Sequence, residues 1–148
     1  RKSRVLAFQA LYSYDVGSVP LSELLKLEWA GTPETEGVAL AADEEVDVAN
    51  DFARLLISGT VGHLAEIDAL IKKHLSAKWD FNRVNKVSLA ILRISVFSLL
   101  YQSETAPTIV IDEAIDIAKE YGADDSFNFI NAVLDSIRKE ITTPKPQE

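Results

Sequence analysis

The chain has 148 residues, of which 47% are hydrophobic and 26% are charged, and its formal net charge is −8. This composition is typical of one soluble globular domain with a sizeable core. The chain contains no cysteine, which excludes disulfide bonds, thiolate zinc sites and cysteine nucleophiles. It also fits a reducing compartment, so we expect a cytoplasmic protein.

Apolar residues recur at helical spacing along nearly the whole chain, and no run alternates apolar and polar residues over a strand's length. The predicted fold class is therefore all-α. In the N-terminal half we predict a first helix capped by Ser3 and stopped at Gly17. We then predict a short helix, a surface loop and one long helix that Gly59 and Gly62 could bend; these span Leu21–Trp29, Gly31–Ala42 and Asp43–Leu75.

The segment Trp79–Asn82 is predicted to link two helical halves, which we assign to residues 1–78 and 79–148. The most apolar stretch follows it. Val87–Tyr101 is shorter than the roughly 20 apolar residues that span a bilayer, so it predicts a buried core helix and no membrane partner. Three helices are predicted in this half, about six or seven in all: Val84–Gln102, Thr108–Tyr121 and a last one from Asp124–Ser126 to Ile141.

Positive charge is concentrated at the N-terminus. Residues 1–14 hold three basic residues and no acid, whereas residues 15–51 hold one lysine and ten acids. On a helical wheel, five residues of the first helix share an arc of roughly 100°, while Ala7, Phe8 and Leu11 lie on another side. The five are Arg1, Lys2, Val5, Gln9 and Tyr12.

These side-chain types suit single-stranded RNA, because arginine holds phosphate, glutamine can read a base edge and tyrosine stacks on an unpaired base. The alternative is a solvated chain end with a tyrosine at the margin of the core. A second basic cluster consists of Lys78, Arg83, Lys86 and Arg93. We interpret it as a solvated face plus one arginine that pairs with a carboxylate, with a partner contact as the alternative.

Sequence motifs for catalysis are absent. No nucleophile elbow, P-loop or dinucleotide loop occurs, and His63 and His74 have no metal-ligand spacing to a second ligand. The carboxylate groups around Asp112 and Asp124 are typical of solvated helix faces or caps. We therefore expect no enzymatic activity, no metal and no cofactor.

A specific run of residues crosses one predicted helix, its glycine stop and the next cap. From Ile111 to Ser126 the chain follows the order I-x-E-A-I-x-I-A-K-x-Y-G-x-x-D-S. Together with Arg1–Arg4, Gln9–Tyr12, Ala90–Leu100 and Phe129–Asp135, this run resembles the NusB family of bacterial transcription antitermination factors. The resemblance covers nearly the whole chain except the region near residues 31–42.

The resemblance implies an all-helical NusB fold of two small subdomains. It also implies binding of boxA RNA together with NusE, a ribosomal protein that acts in the antitermination complex on RNA polymerase. The positions that match the family's RNA-binding residues are Arg1, Lys2, Arg4, Gln9, Tyr12, Asp125 and Phe129. Ser88 matches a position where relatives can carry an acidic residue that contacts NusE.

Two alternatives stay open. NusB-like domains occur fused to rRNA cytosine methyltransferases, although the glycine-rich cofactor loop and catalytic cysteine of such an enzyme are absent here. A self-associating helical scaffold is the other alternative, because dimerisation covers the RNA surface in some relatives. Tyr12 and Phe129 would suit such a homodimer.

Overall fold

The computed structural model describes residues 2–27, 41–76 and 80–142. Within those ranges the chain forms seven α-helices and a 3₁₀ turn at Phe81–Arg83, and no strand. This confirms the all-α class. The helices are α1 Lys2–Val16, α2 Leu21–Leu24, α3 Ala41–Gly62, α4 Leu64–His74, α5 Lys86–Tyr101, α6 Pro107–Tyr121 and α7 Ser126–Thr142.

Helix α5 lies at the centre of the molecule. Its N-terminus is capped by the side chain of Asn85, which accepts hydrogen bonds from the backbone N–H groups of Val87 (2.9 Å) and Ser88 (3.2 Å). Every residue from position 88 to position 98 is buried, and α1, α3, α4, α6 and α7 all pack on this helix. A helix that is apolar all round is stable only when it is enclosed in this way, so the predicted core helix is confirmed.

The first helix packs the predicted side against the core. Ala7, Phe8 and Leu11 are buried, as the helical wheel predicts. The predicted cap is wrong, because Ser3 lies inside α1 and is itself buried. The helix ends before Gly17, whose N–H donates to the carbonyl of Ser13 (2.9 Å).

Two predicted elements differ from the structure. The helix predicted over residues 21–29 ends at Leu24, and Leu27 already adopts a left-handed backbone with φ of 59°; Trp29 and the loop at residues 31–40 lie outside the described residues. The long helix predicted over residues 43–75 is two helices. It breaks at His63, directly after Gly62, and α3 begins at Ala41, inside the predicted loop.

Helices of both predicted halves share one hydrophobic core. Phe8 of α1, Leu56 of α3 and Ile130 of α7 belong to the same cluster of buried residues as α5. The division into two subdomains near residue 78 therefore stays a prediction.

No helix in the described ranges has both the length and the apolar character needed to cross a membrane.

A close approach of α3 to α5 depends on Gly59. A Cβ atom at this position would overlap the ring of Phe97, whereas a Cβ at Gly62 would meet nothing within 4 Å. The two glycines lie in the same helix and only one of them has a packing role.

Helix α4 is attached to α7 by a polar contact around His74. Its Nδ1 lies 2.7 Å from the hydroxyl of Ser136, and its Nε2 lies 2.8 Å from a carboxylate oxygen of Glu140. Lys73 pairs with the same carboxylate. The hydrogen bond with His74, followed by that with Lys73, lowers the pKa of Glu140 below its ordinary value of 4.5.

We expect Gly59→Ala to destabilise the fold and Gly62→Ala to leave it unchanged or more stable. Overpacking a core costs about 1–3 kcal/mol, which outweighs the gain of about 1 kcal/mol in helix propensity at Gly59. At Gly62 only the propensity gain remains. Chemical denaturation of both variants measures the difference, and equal effects would contradict the role assigned to the Phe97 contact.

We expect acid to remove stability that Glu140 contributes. Because its folded-state pKa is lowered, the stabilisation is present above the ordinary pKa of 4.5 and is lost as the pH falls through the folded value. Glu140→Gln should therefore flatten the decrease in unfolding free energy below that pH. Denaturation across pH tests this, with Glu104→Gln as the control; equally steep profiles for Glu140→Gln and the unmodified chain would contradict it.

Candidate nucleic-acid interface

The outer face of α1 carries three of the predicted RNA-binding residues. Lys2 is exposed, Gln9 is half-buried and the side chain of Tyr12 is 38% exposed. Their spacing along one helix brings them to one side of the molecule. Arg1, which the helical wheel also places on this face, lies outside the described residues.

Beside this face is a groove of about 330 Å³, which we call the α1–α6 groove. Its lining residues come from three helices and are Phe8, Gln9, Tyr12, Ser13, Val87 and Tyr121. The ring of Tyr121, at the end of α6, lies 5.2 Å from the ring of Phe8. Tyr121 is exposed to a similar degree as Tyr12, so the groove has two accessible tyrosines above an apolar floor.

A second depression, the α6–α7 hollow, lies where α6 ends and the chain turns into α7. It measures about 400 Å³ and is lined by Lys119, Gly122, Ala123, Asp124, Asp125 and Phe127. The ammonium group of Lys119 lies 5.0 Å from the centre of the Phe127 ring. With two carboxylates in its wall, the hollow repels phosphate and suits groups that donate hydrogen bonds.

Asp125 is held by its backbone in this wall. It is exposed, and it adopts the left-handed conformation with φ of 66°, which aspartate tolerates better than most residues. Its carbonyl accepts from the N–H of Asn128 (3.1 Å) at the start of α7. An exposed carboxylate here can accept hydrogen bonds from base amino groups.

Of two further residues that the resemblance implies, Phe129 is partly accessible and Ser88 is buried. Phe129 is half-buried and packs against the hydrophobic core. Ser88 is 2% exposed, which leaves almost none of its side chain for a partner. Its neighbour Val87 is the residue of this turn that lines the α1–α6 groove.

Arg4 is also inside the protein, with a relative exposure of 4%. Its guanidinium pairs with Glu113 of α6 and donates a hydrogen bond of 2.8 Å to the hydroxyl of Ser98 on α5. That hydroxyl donates in turn to Gln102 (2.7 Å). Because the donors of Arg4 point inward, we do not place it among the residues that contact RNA.

The second basic cluster also contains one buried arginine beside exposed residues. Arg93 is buried and forms two hydrogen bonds of 2.9 Å with Asp68, and this confirms the predicted pairing of one arginine with a carboxylate. Lys86 lies 3.8 Å from a carboxylate oxygen of Asp15. Arg83 is exposed, and Lys78 lies outside the described residues.

Both histidines contact side chains of neighbouring helices. His63 stacks on Tyr101 with a ring separation of 4.2 Å, and His74 contacts α7. Across the described part of the chain, no group of three or more histidine, aspartate or glutamate side chains is arranged to hold a metal ion.

Sequence reasoning did not predict Val87 and Tyr121 as groove residues. Tyr121 belongs to the Tyr121-Gly122 pair of the specific run, so a signal was present, but nothing in its spacing indicates that it meets α1. Phe8 was predicted on the packing side, and it is buried there while it also forms the floor of the groove.

The helices define an all-α protein arranged around one central helix, and solved structures with this architecture match almost the whole chain. NusB of T. maritima is 33% identical, with a TM-score of 0.75 over 93% of this chain and 89% of that chain. A crystal structure of the antitermination factors NusB and NusE in complex with dsRNA matches with 28% identity and a TM-score of 0.75, over 94% of this chain and 95% of that chain.

Sequence comparison agrees. The transcription antitermination protein NusB of Treponema denticola is 43% identical over 95% of this chain and 96% of its own length. The NusB family model matches residues 1–139. The chain belongs to the NusB family.

Proposed function

We propose that this protein binds single-stranded boxA RNA together with NusE and acts in the antitermination complex on RNA polymerase. The observation that carries the proposal is the α1–α6 groove with its two exposed tyrosines, in a chain similar to a NusB that was crystallised with NusE and RNA. The groove provides side chains that can bind RNA, and the similar complex indicates that RNA and NusE are the partners to test.

Each residue at the groove offers a different interaction with RNA. The rings of Tyr12 and Tyr121 offer stacking surfaces for unpaired bases. Gln9 offers both a donor and an acceptor for base edges. Lys2 supplies a positive charge for phosphate, and Asp125 in the neighbouring hollow accepts hydrogen bonds from base amino groups.

The charge of the protein explains why a partner is needed. The chain carries a net charge of −8, and Arg4 and Arg93 form ion pairs inside the fold. Few positive charges then remain to attract phosphate at the groove. We expect weak RNA binding by the protein alone and tighter binding with NusE, which would add contacts of its own.

The strandedness of the RNA is a separate question, because the similar complex contains dsRNA. The stacking surfaces here favour bases that are not already stacked in a duplex. Binding of a boxA oligonucleotide should therefore exceed binding of the same sequence in a duplex, and preference for the duplex would contradict the single-stranded proposal.

Self-association is the second candidate, since the exposed tyrosine at position 12 would also suit a homodimer. A dimer through this face would compete with RNA. Light scattering across protein concentration, with and without RNA, separates the two, because a dimer that persists at saturating RNA would place the RNA elsewhere. The methyltransferase alternative receives no support from the relatives, which are antitermination proteins of similar length.

We expect Tyr12→Ala to weaken binding of boxA RNA in the presence of NusE. Loss of one base–aromatic stack removes about 1–3 kcal/mol, or roughly 5- to 150-fold in affinity. Tyr101→Ala is the matched control, because Tyr101 is a similarly exposed tyrosine that hydrogen-bonds Glu66 and is absent from the groove. Fluorescence anisotropy measures both, and equal affinities for the two variants would argue against the groove.

We expect Lys2→Ala to reduce the salt dependence of RNA binding. Each phosphate contact with a single strand contributes about −0.7 to the slope of log K against log salt. The variant should therefore show a slope that is shallower by about 0.7. An unchanged slope would mean that Lys2 contacts no phosphate.

A further inference from the structure

Two matching stripes of side chains face each other across α1 and α6. On α1, Arg4, Phe8 and Tyr12 follow one another at intervals of four residues, and on α6, Glu113, Ile117 and Tyr121 do the same. Residues four apart are about 40° apart around a helix, so the α1 stripe runs from the packed side at Arg4 and Phe8 to the edge of the outer face at Tyr12. Arg4 pairs with Glu113, and Phe8 contacts Tyr121.

Both stripes are most open at the end that lines the groove. Arg4 and Phe8 are both 4% exposed and Ile117 is 1% exposed, while the side chain of Glu113 is 29% exposed. At the other end Tyr12 and Tyr121 are 38% and 42% exposed, and both line the groove. The ion pair is therefore the closed end of a wedge, and the tyrosines are its open end.

Helices α1 and α6 share few direct contacts, and the Arg4–Glu113 pair is one of them, while the body of α6 packs on α5 and α7. Both helices pack on α5, and Arg4 links all three, because its guanidinium pairs with Glu113 and donates to Ser98 on α5. Tyr121 lies eight residues beyond Glu113, about 12 Å along the helix axis. A small rotation of α6 at Glu113 would consequently move the Tyr121 ring relative to Tyr12.

We infer that the Arg4–Glu113 pair positions the two tyrosines of the α1–α6 groove for RNA, and that Arg4 and Glu113 are positioning residues that do not themselves touch the RNA. The inference rests on the proposed function. Binding groups must be held to about 0.5 Å by their supporting contacts to be effective. The pair supplies that support at the closed end of the wedge.

The sign of one charge change separates positioning from electrostatics. Glu113→Gln removes a negative charge and leaves Arg4 without its ionic partner, so Coulomb attraction alone would make RNA bind more tightly. If the pair instead positions the tyrosines, Glu113→Gln should bind RNA more weakly. We expect about tenfold weaker binding of boxA RNA with NusE, equivalent to about 1.4 kcal/mol. Arg4→Lys, which retains the charge without the planar fork, should cause a smaller loss.

Two controls accompany this measurement. Asp112→Asn removes the same charge from an exposed position next to Glu113, and it should bind RNA as well as the unmodified chain or slightly better. Gly59→Ala lowers stability at the α3–α5 contact, away from the groove, and it should keep its RNA affinity when folded. A loss confined to the Arg4 and Glu113 variants would exclude general destabilisation.

NMR provides a readout that does not depend on RNA. Contacts between the rings of Phe8 and Tyr121 should weaken in Glu113→Gln and persist in Asp112→Asn. Persistence of these contacts in Glu113→Gln overturns the inference, as does RNA affinity equal to or above that of Asp112→Asn. If the unmodified chain binds no RNA with NusE, the proposed function fails, and the role in RNA binding inferred here fails with it.

Discussion

The rest of the structure depends on the burial of α5 on every side. Five helices pack on it, and every residue from 88 to 98 is removed from water. Burial at this level requires each polar group to find a partner. The hydroxyl of Ser95 donates to the carbonyl of Ile91 (2.8 Å), and Arg93 is held by Asp68. The central helix thus determines where the other helices pack. It also requires a buried charge such as that of Arg93 to be paired with a carboxylate.

Two arginines that contribute to the basic character of the sequence are used inside the protein. Arg93 links α5 to α4 through Asp68, and Arg4 links α1 to α5 and α6 through Ser98 and Glu113. Removing one partner of a buried pair leaves an uncompensated charge, which is strongly destabilising. The outer face of α1 therefore carries less positive charge than a count along the chain indicates. Under the proposed function, recognition of RNA then depends more on aromatic rings and on a protein partner.

Most helices could be predicted because their signals are local. The apolar spacing of α7, the glycine after α6 and the proline at the start of α6 each act within one or two helical turns. The break at His63 was not predicted as a helix end, since two glycines only lower propensity and tertiary packing decides the outcome. The same applies to Gly59, whose role depends on Phe97, a distant residue in the sequence.

The sequence by itself determined the all-α class, the enclosed helix α5 and the side of α1 that packs, because periodicity and composition carry that information. It also placed the chain in its family through the run from Ile111 to Ser126. Only the tertiary structure decided that Arg4 faces Glu113 and that Tyr121 joins Tyr12 at one groove. These contacts join helices that are far apart in the sequence, and side-chain burial depends on how the helices pack around α5.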